Sequence, residues 1–197
     1  MKTQQITRRI VKTFPQYMML NTRCVIDKSY DLILSGYALD RTPSGIYINK
    51  FYYPLFDYSE GCHLTYSDRL PDLENIISFA DIDKSDLADL TLSIITRWKE
   101  DVDEIFTIEE FCHMLDKRYE KRNVWNSIVR MNYGTAQVLL GNYELAKQSL
   151  IQCRKHLHKN DIPTLDELEA KFNQSPEEAK AFILQQAEKM KTQLKLT

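Results

Sequence analysis

Past a short N-terminal helix, the apolar residues of this 197-residue chain change their spacing near Pro71, and that change limits the folds open to it. From about residue 19 to Pro71 they recur every second residue, the period of a strand. After it they recur three and four apart, the period of a helix. A chain that keeps its strands and helices in separate stretches belongs to the α+β class, not to an alternating β-α-β layout. We therefore expect a small N-terminal helix and antiparallel β-meander over residues 1–70. An all-α array should follow over 71–197, with the two parts packed together as one unit.

The first helix is read over residues 2–13, where Ile6, Ile10 and Val11 share a face and Pro15 stops the run. "LNTRCVID" (20–27), "DLILSGYALD" (31–40) and "GIYINKFYY" (45–53) alternate as strands, and "CHLTYS" (62–67) adds a fourth. Between the second and third strands "RTPSG" brings Pro43 and Gly45, the residues of a tight turn. Helices are expected over 72–79, 85–104, 107–119, 123–140, 142–157, 164–173 and 176–195. Thr107 with Glu110, Thr164 with Glu167, and Ser175 with Glu178 each fit a capping box, with Pro176 in a favoured first-turn position.

Three helix starts repeat a pattern. Thr107, Asn142 and Ser175 lie 35 and 33 residues apart. Phe111, Ala146 and Ala179 follow four residues later, and Leu115, Leu150 and Ile183 eight residues later. One helical hairpin per period of about 34 residues is a repeat spacing, and such hairpins must stack to bury their apolar faces. The unit "NYGTAQVLLGNYELAKQSLIQC", with small Gly134 and Gly141, aromatic Tyr143 and Ala146 at a close crossing, resembles a tetratricopeptide repeat over residues 123–157. The resemblance implies stacked hairpins with a concave groove that binds peptides or partner proteins.

Charge is nearly balanced overall, at −2, but is unevenly placed. Residues 71–120 carry a net −9 and residues 121–160 a net +6. Asp81, Asp83, Asp86 and Asp89 precede a second acidic group, Glu100, Asp101, Asp103 and Glu104. Asp86 and Asp89 suit a helix N-terminus, whereas Asp101, Asp103 and Glu104 stand at the end where the helix dipole opposes them. "DIDKSDLADL" lacks the glycine and closing glutamate of a calcium loop. The acidic stretch reads as a solvated face or as a docking face for a basic protein surface, with Trp98, Asp101, Asp103, Glu104 and Glu109 as contacts. The basic stretch ends in Lys155 and Lys159, where a helix C-terminus favours cations.

The aromatic hairpin carries Tyr47, Phe51 and Tyr53 on one face and Ile46, Ile48 and Tyr52 on the other. With Lys50 and Arg41 nearby, exposed rings could stack single-stranded RNA bases. Buried rings would be core, and the weak overall charge favours that reading. Cys24, Cys62, Cys112 and Cys153 are widely spaced, and no pair has the spacing of a zinc hairpin. Cys62–His63 and Cys112–His113 are neighbours in sequence, so a scattered Cys/His or carboxylate site between sheet and helices is the enzymatic alternative. No phosphate loop, Gly-x-Ser-x-Gly elbow or His-Glu-x-x-His helix occurs.

No apolar run suits a signal peptide or a membrane span, and the cysteine usage fits a reducing cytoplasm. The run "FYYPLFD…LTYSDRL" resembles small bacterial immunity-type proteins, which implies sequestration of a toxin domain. The combined expectation is a non-catalytic cytoplasmic protein that binds a partner with a basic surface. It calls for no cofactor or metal, and leaves self-association open.

Overall fold

The computed structural model describes residues 3–58, 64–70, 77–78, 87–98, 105–119 and 126–196. The chain forms two compact units, and each is built from two separate pieces of sequence. The first comprises residues 1–53 and 63–105, the second 54–62 and 106–197. The class is α+β: an N-terminal helix, an antiparallel sheet and a helical array.

In the first unit α1 (Thr3–Thr13) packs on β1 (Tyr17–Met19), β2 (Cys24–Asp27) and α2 (Leu87–Trp98). Ile6 and Ile10 of α1 are buried together with Ala88, Ile94 and Ile95 of α2. Each isoleucine contributes about 1.5–3 kcal/mol of burial. The exposed Arg9–Asp89 ion pair also joins these helices, and adds little in water.

The sheet runs β1-β2-β3-β4-β5, with β3 at Ile33–Arg41, β4 at Gly45–Pro54 and β5 at Tyr66–Arg69. The expected strand over 20–27 is corrected: its first half is the turn between β1 and β2. Asn21 Oδ1 accepts from the main-chain N–H groups of Arg23 at 2.8 Å and Cys24 at 2.9 Å, which bends the chain there. The β3–β4 turn falls where Pro43 and Gly45 placed it, closed by Thr42 N–H donating to Gly45 O at 2.9 Å. The helix expected over 72–79 is also corrected at its end. Ile77–Ser78 form β6, antiparallel to Gly45–Ile46 of β4. The rest of that stretch lies outside the described residues.

Gly36 permits the closest approach within the sheet. A Cβ there would stand 2.0 Å from Val25 O, and backbone cannot yield that distance.

The second unit holds α3 (Ile108–Tyr119), α4 (Ser127–Leu140), α5 (Tyr143–Arg154), α6 (Ile162–Gln174) and α7 (Pro176–Gln193). α4 packs most closely on α5, and α6 on α7. These hairpins join through α4 on α7 and α5 on α6, so the four helices close a circuit, with α3 against α4. All six repeat-marking residues, Phe111, Leu115, Ala146, Leu150, Ala179 and Ile183, are buried. Gly134 lets α4 and α5 meet: a Cβ there would lie 2.9 Å from Leu150 Cδ2.

Two capping residues behave as expected. Thr107 Oγ1 accepts from Glu110 N–H at 3.1 Å while Glu110 Oε2 accepts from Thr107 N–H at 2.9 Å, and Ser175 Oγ accepts from Glu178 N–H at 3.1 Å. Thr164 does not cap. α6 starts two residues earlier, because Pro163 in its first turn needs no N–H partner. Asn142 precedes α5, but its amide donates to Gln137 Oε1 at 2.8 Å instead of capping. α4 is capped by Asn126, whose Oδ1 accepts from Val129 N–H at 2.8 Å. It ends on Gly141 at φ 83°, in the left-handed region that spares glycine alone.

The short piece of the second unit anchors itself among three helices. Phe56 meets Phe111 of α3 edge-on, with centroids 6.3 Å apart. The buried Asp57 carboxylate accepts from Asn132 Nδ2 of α4 at 2.8 Å. Tyr58 stacks on Phe182 of α7 at 6.3 Å.

Candidate functional site

Much of the expected docking face lies outside the described residues, namely Asp101, Asp103 and Glu104. Trp98 is the last residue of α2 in the first unit, and its side chain also lies outside them. Glu109 is exposed in the first turn of α3, in the second unit. One turn and then two turns further along α3 come Cys112 and Asp116, on the side of the helix that Glu109 begins. Burial first, then the charges of Asp116 and Glu109, push the Cys112 thiol up to about 12.

Asp116 leads into a groove of about 470 Å3 between α3, α4 and α5. α4 contributes Arg130 and Tyr133, and α5 contributes Leu145, Gln148 and Gln152. The spacing follows from helical geometry: Leu145, Gln148 and Gln152 fall three and four residues apart, on one stripe. Gly134 and Leu150 set the closeness of α4 and α5 beneath that stripe.

Within the groove the nearly buried Tyr133 hydroxyl donates to Asp116 Oδ2 at 3.3 Å. Burial first, then that bond and the Asp116 charge, raise the Tyr133 hydroxyl's pKa, so it stays protonated. Arg130 Nη1 donates to Gln152 Oε1, which fixes the orientation of that amide. Leu145 is an exposed apolar side chain at the rim.

A second, smaller groove of about 240 Å3 lies between α5 and α6. There the Lys147 ammonium sits 5.6 Å from the Phe172 ring centroid, and Ile151 is exposed.

The remaining candidates are placed as follows. Cys24, Cys112 and Cys153 are buried free thiols. Burial raises Cys24, and raises Cys153 to about 11, leaving no thiolate for nucleophilic attack near neutral pH. His113 and His156 are exposed, and Cys62 and His63 lie outside the described residues. Among the described residues no three His, Cys, Asp or Glu side chains converge as metal ligands. The aromatic hairpin is core: Tyr37, Phe51, Tyr52, Tyr53 and Tyr66 are buried. Lys50 is buried as well, with its ammonium 4.9 Å from the Tyr37 centroid and 5.7 Å from that of Tyr52. Tyr47 is covered by the Arg69 guanidinium at 3.9 Å. These rings offer no open stacking platform.

None of the groove-lining residues was singled out by the sequence; Glu109, on the same helix as Asp116, was the nearest. Exposed glutamines on a helix are commonplace, and only their alignment beside Arg130 and Asp116 makes them a site.

No family model, curated protein or solved structure matches this chain. Among the described residues no helix is long and apolar enough to cross a membrane.

Proposed function

We propose that this is a non-catalytic protein-binding protein that engages its partner through the second unit. The observation that carries this reading is the α3–α4–α5 groove, which is large, open and lined by hydrogen-bonding and charged side chains beside exposed Leu145. Binding needs donors, acceptors and an apolar contact, and these are present. Covalent catalysis needs an activated nucleophile, and the described thiols and Tyr133 are held in their neutral forms by burial.

The acidic face fits the same role. Glu109 and Asp116 put acidic charge on α3, and acidic charge steers and orients a basic partner. An immunity-type inhibitor in a bacterial cytoplasm is the finer form of this proposal. It rests on the resemblance of "FYYPLFD…LTYSDRL" and on this charge.

The test is affinity capture from source-cell lysate, with Glu109→Lys/Asp116→Lys beside the parent protein. One stoichiometric partner, released as salt rises and lost in the double variant, is the expected result. Equal capture by both forms would remove the α3 face from the proposal.

A further inference from the structure

We propose that the arm formed by residues 54–58 is exchanged between two copies of this chain, each copy's arm completing the helical unit of the other. This goes beyond partner binding and is independent of the acidic residues of α3.

The arm is a preformed ligand. It leaves the sheet at Pro54, the last residue of β4, and Asp57 N–H donates to Pro54 O at 3.0 Å. That bond closes a tight turn within the arm itself. Leu55, Phe56 and Asp57 are buried, at 0%, 0% and 5% exposure. Phe56 is edge-on to Phe111, Tyr58 stacks on Phe182, and Asp57 accepts from Asn132 Nδ2 at 2.8 Å. These partners stand on α3, α7 and α4, so one short turn ties three helices. The helical unit thus holds an aromatic–carboxylate–aromatic sequence presented in a turn.

Connectivity makes that contact exchangeable. On both sides of the arm's piece, residues 1–53 and 63–105 belong to the first unit. The first unit and the arm therefore travel together. Apart from the arm, the chain passes between the units once, at residues 105–106. Exchange redirects the chain at that passage and remakes every arm contact unchanged, which is why swapping an identical element is a low-cost route to a dimer.

The chemistry also selects the occupant. A foreign segment must supply the turn, both rings and the carboxylate at once, and a mismatch at Asp57 leaves a buried polar group without its partner. A second copy supplies all of them by identity. Within one molecule the arm is tethered, so the dimer should gather only as protein concentration approaches about 1 mM. Exchange after folding requires the helical unit to open, so it is slow.

The experiment refolds full-length proteins from urea, alone and mixed, with one of them isotope-labelled, and reads dimers by native mass spectrometry. Two near-isosteric variants carry the test, Asp57→Asn and Asn132→Asp. Alone, the first sets amide against amide and the second sets carboxylate against carboxylate. In an exchanged mixed dimer one site regains the parental pair, and the other holds the same pair reversed. Expected are parental dimers that increase with concentration, and mixed dimers of the two variants about tenfold above random pairing, one hydrogen bond being regained at each site. The mixed dimer should also melt above Asn132→Asp alone. Parent protein that stays monomeric up to about 1 mM would overturn the exchange. Random pairing of the two variants would overturn it as well, because the dimer interface would then lie elsewhere on the surface.

Discussion

Glu110 accepts from two main-chain N–H groups, Phe106 and Thr107, each at 2.9 Å, and caps α3. These two bonds, Phe106 first, hold its carboxyl below the usual range. A carboxylate with a lowered folded pKa stabilises above its unfolded value near 4.5, and that contribution is lost as pH falls through the folded value. Glu110→Ala should therefore cost about 1 kcal/mol at pH 7 and much less at low pH, measured by urea melts at both. Cys112 has the opposite sign. Its thiol is neutral in the folded state up to about 12 but ionises near 9.0 when unfolded. The stability it supports is whole below pH 9 and declines between pH 9 and pH 12. Cys112→Ala should flatten that alkaline decline, and Cys112 in the native protein should react with a thiol reagent only as fast as the fold opens.

At the scale of elements, two glycines of α4 separate two kinds of cost. Gly141→Ala forces a β-carbon into the left-handed region with open space around it, so backbone strain of about 1 kcal/mol is the whole effect. Gly134→Ala keeps good helical geometry but pushes on Leu150 at 2.9 Å, and should cost about 1–3 kcal/mol by separating α4 from α5. Thermal melts of both variants measure these costs, and Gly134→Ala alone should also change the side-chain packing between α4 and α5, read from near-ultraviolet circular dichroism. The sequence made these helices legible through local signals. Thr107, Ser175 and the buried stripe from Phe111 to Ile183 depend on neighbours within one or two turns. What it hid depends on distant neighbours. Asn21 could sit in a strand until its side chain bends the chain, Ile77 has a helical spacing until β4 offers an edge, and Gln148 is one polar residue among many until Arg130 and Asp116 stand beside it.

The whole molecule depends on residues 54–62 belonging to the helical unit. A fragment beginning at residue 106 lacks Phe56 and Asp57, uncovering Phe111 and leaving the Asn132 amide without its carboxylate. Those losses come to several kcal/mol, against the 5–15 kcal/mol typical of a domain. The fragment should melt broadly in circular dichroism, and a synthetic peptide of residues 54–62 added in trans should sharpen and raise the transition. No change on adding that peptide would deny the segment its anchoring role.

The same interleaving has a consequence during synthesis. Asp57 leaves the ribosome 75 residues ahead of Asn132, a delay of about 4–15 s at ordinary elongation rates. Throughout that interval Phe56 and Tyr58 hang on the nascent chain without the helices that bury them. The first unit has all its sequence once residue 105 is made, whereas the second, begun at residue 54, waits for the helices that follow residue 106. Such a chain meets ribosome-associated chaperones with two aromatic side chains exposed, and slowing the ribosome lengthens that exposure.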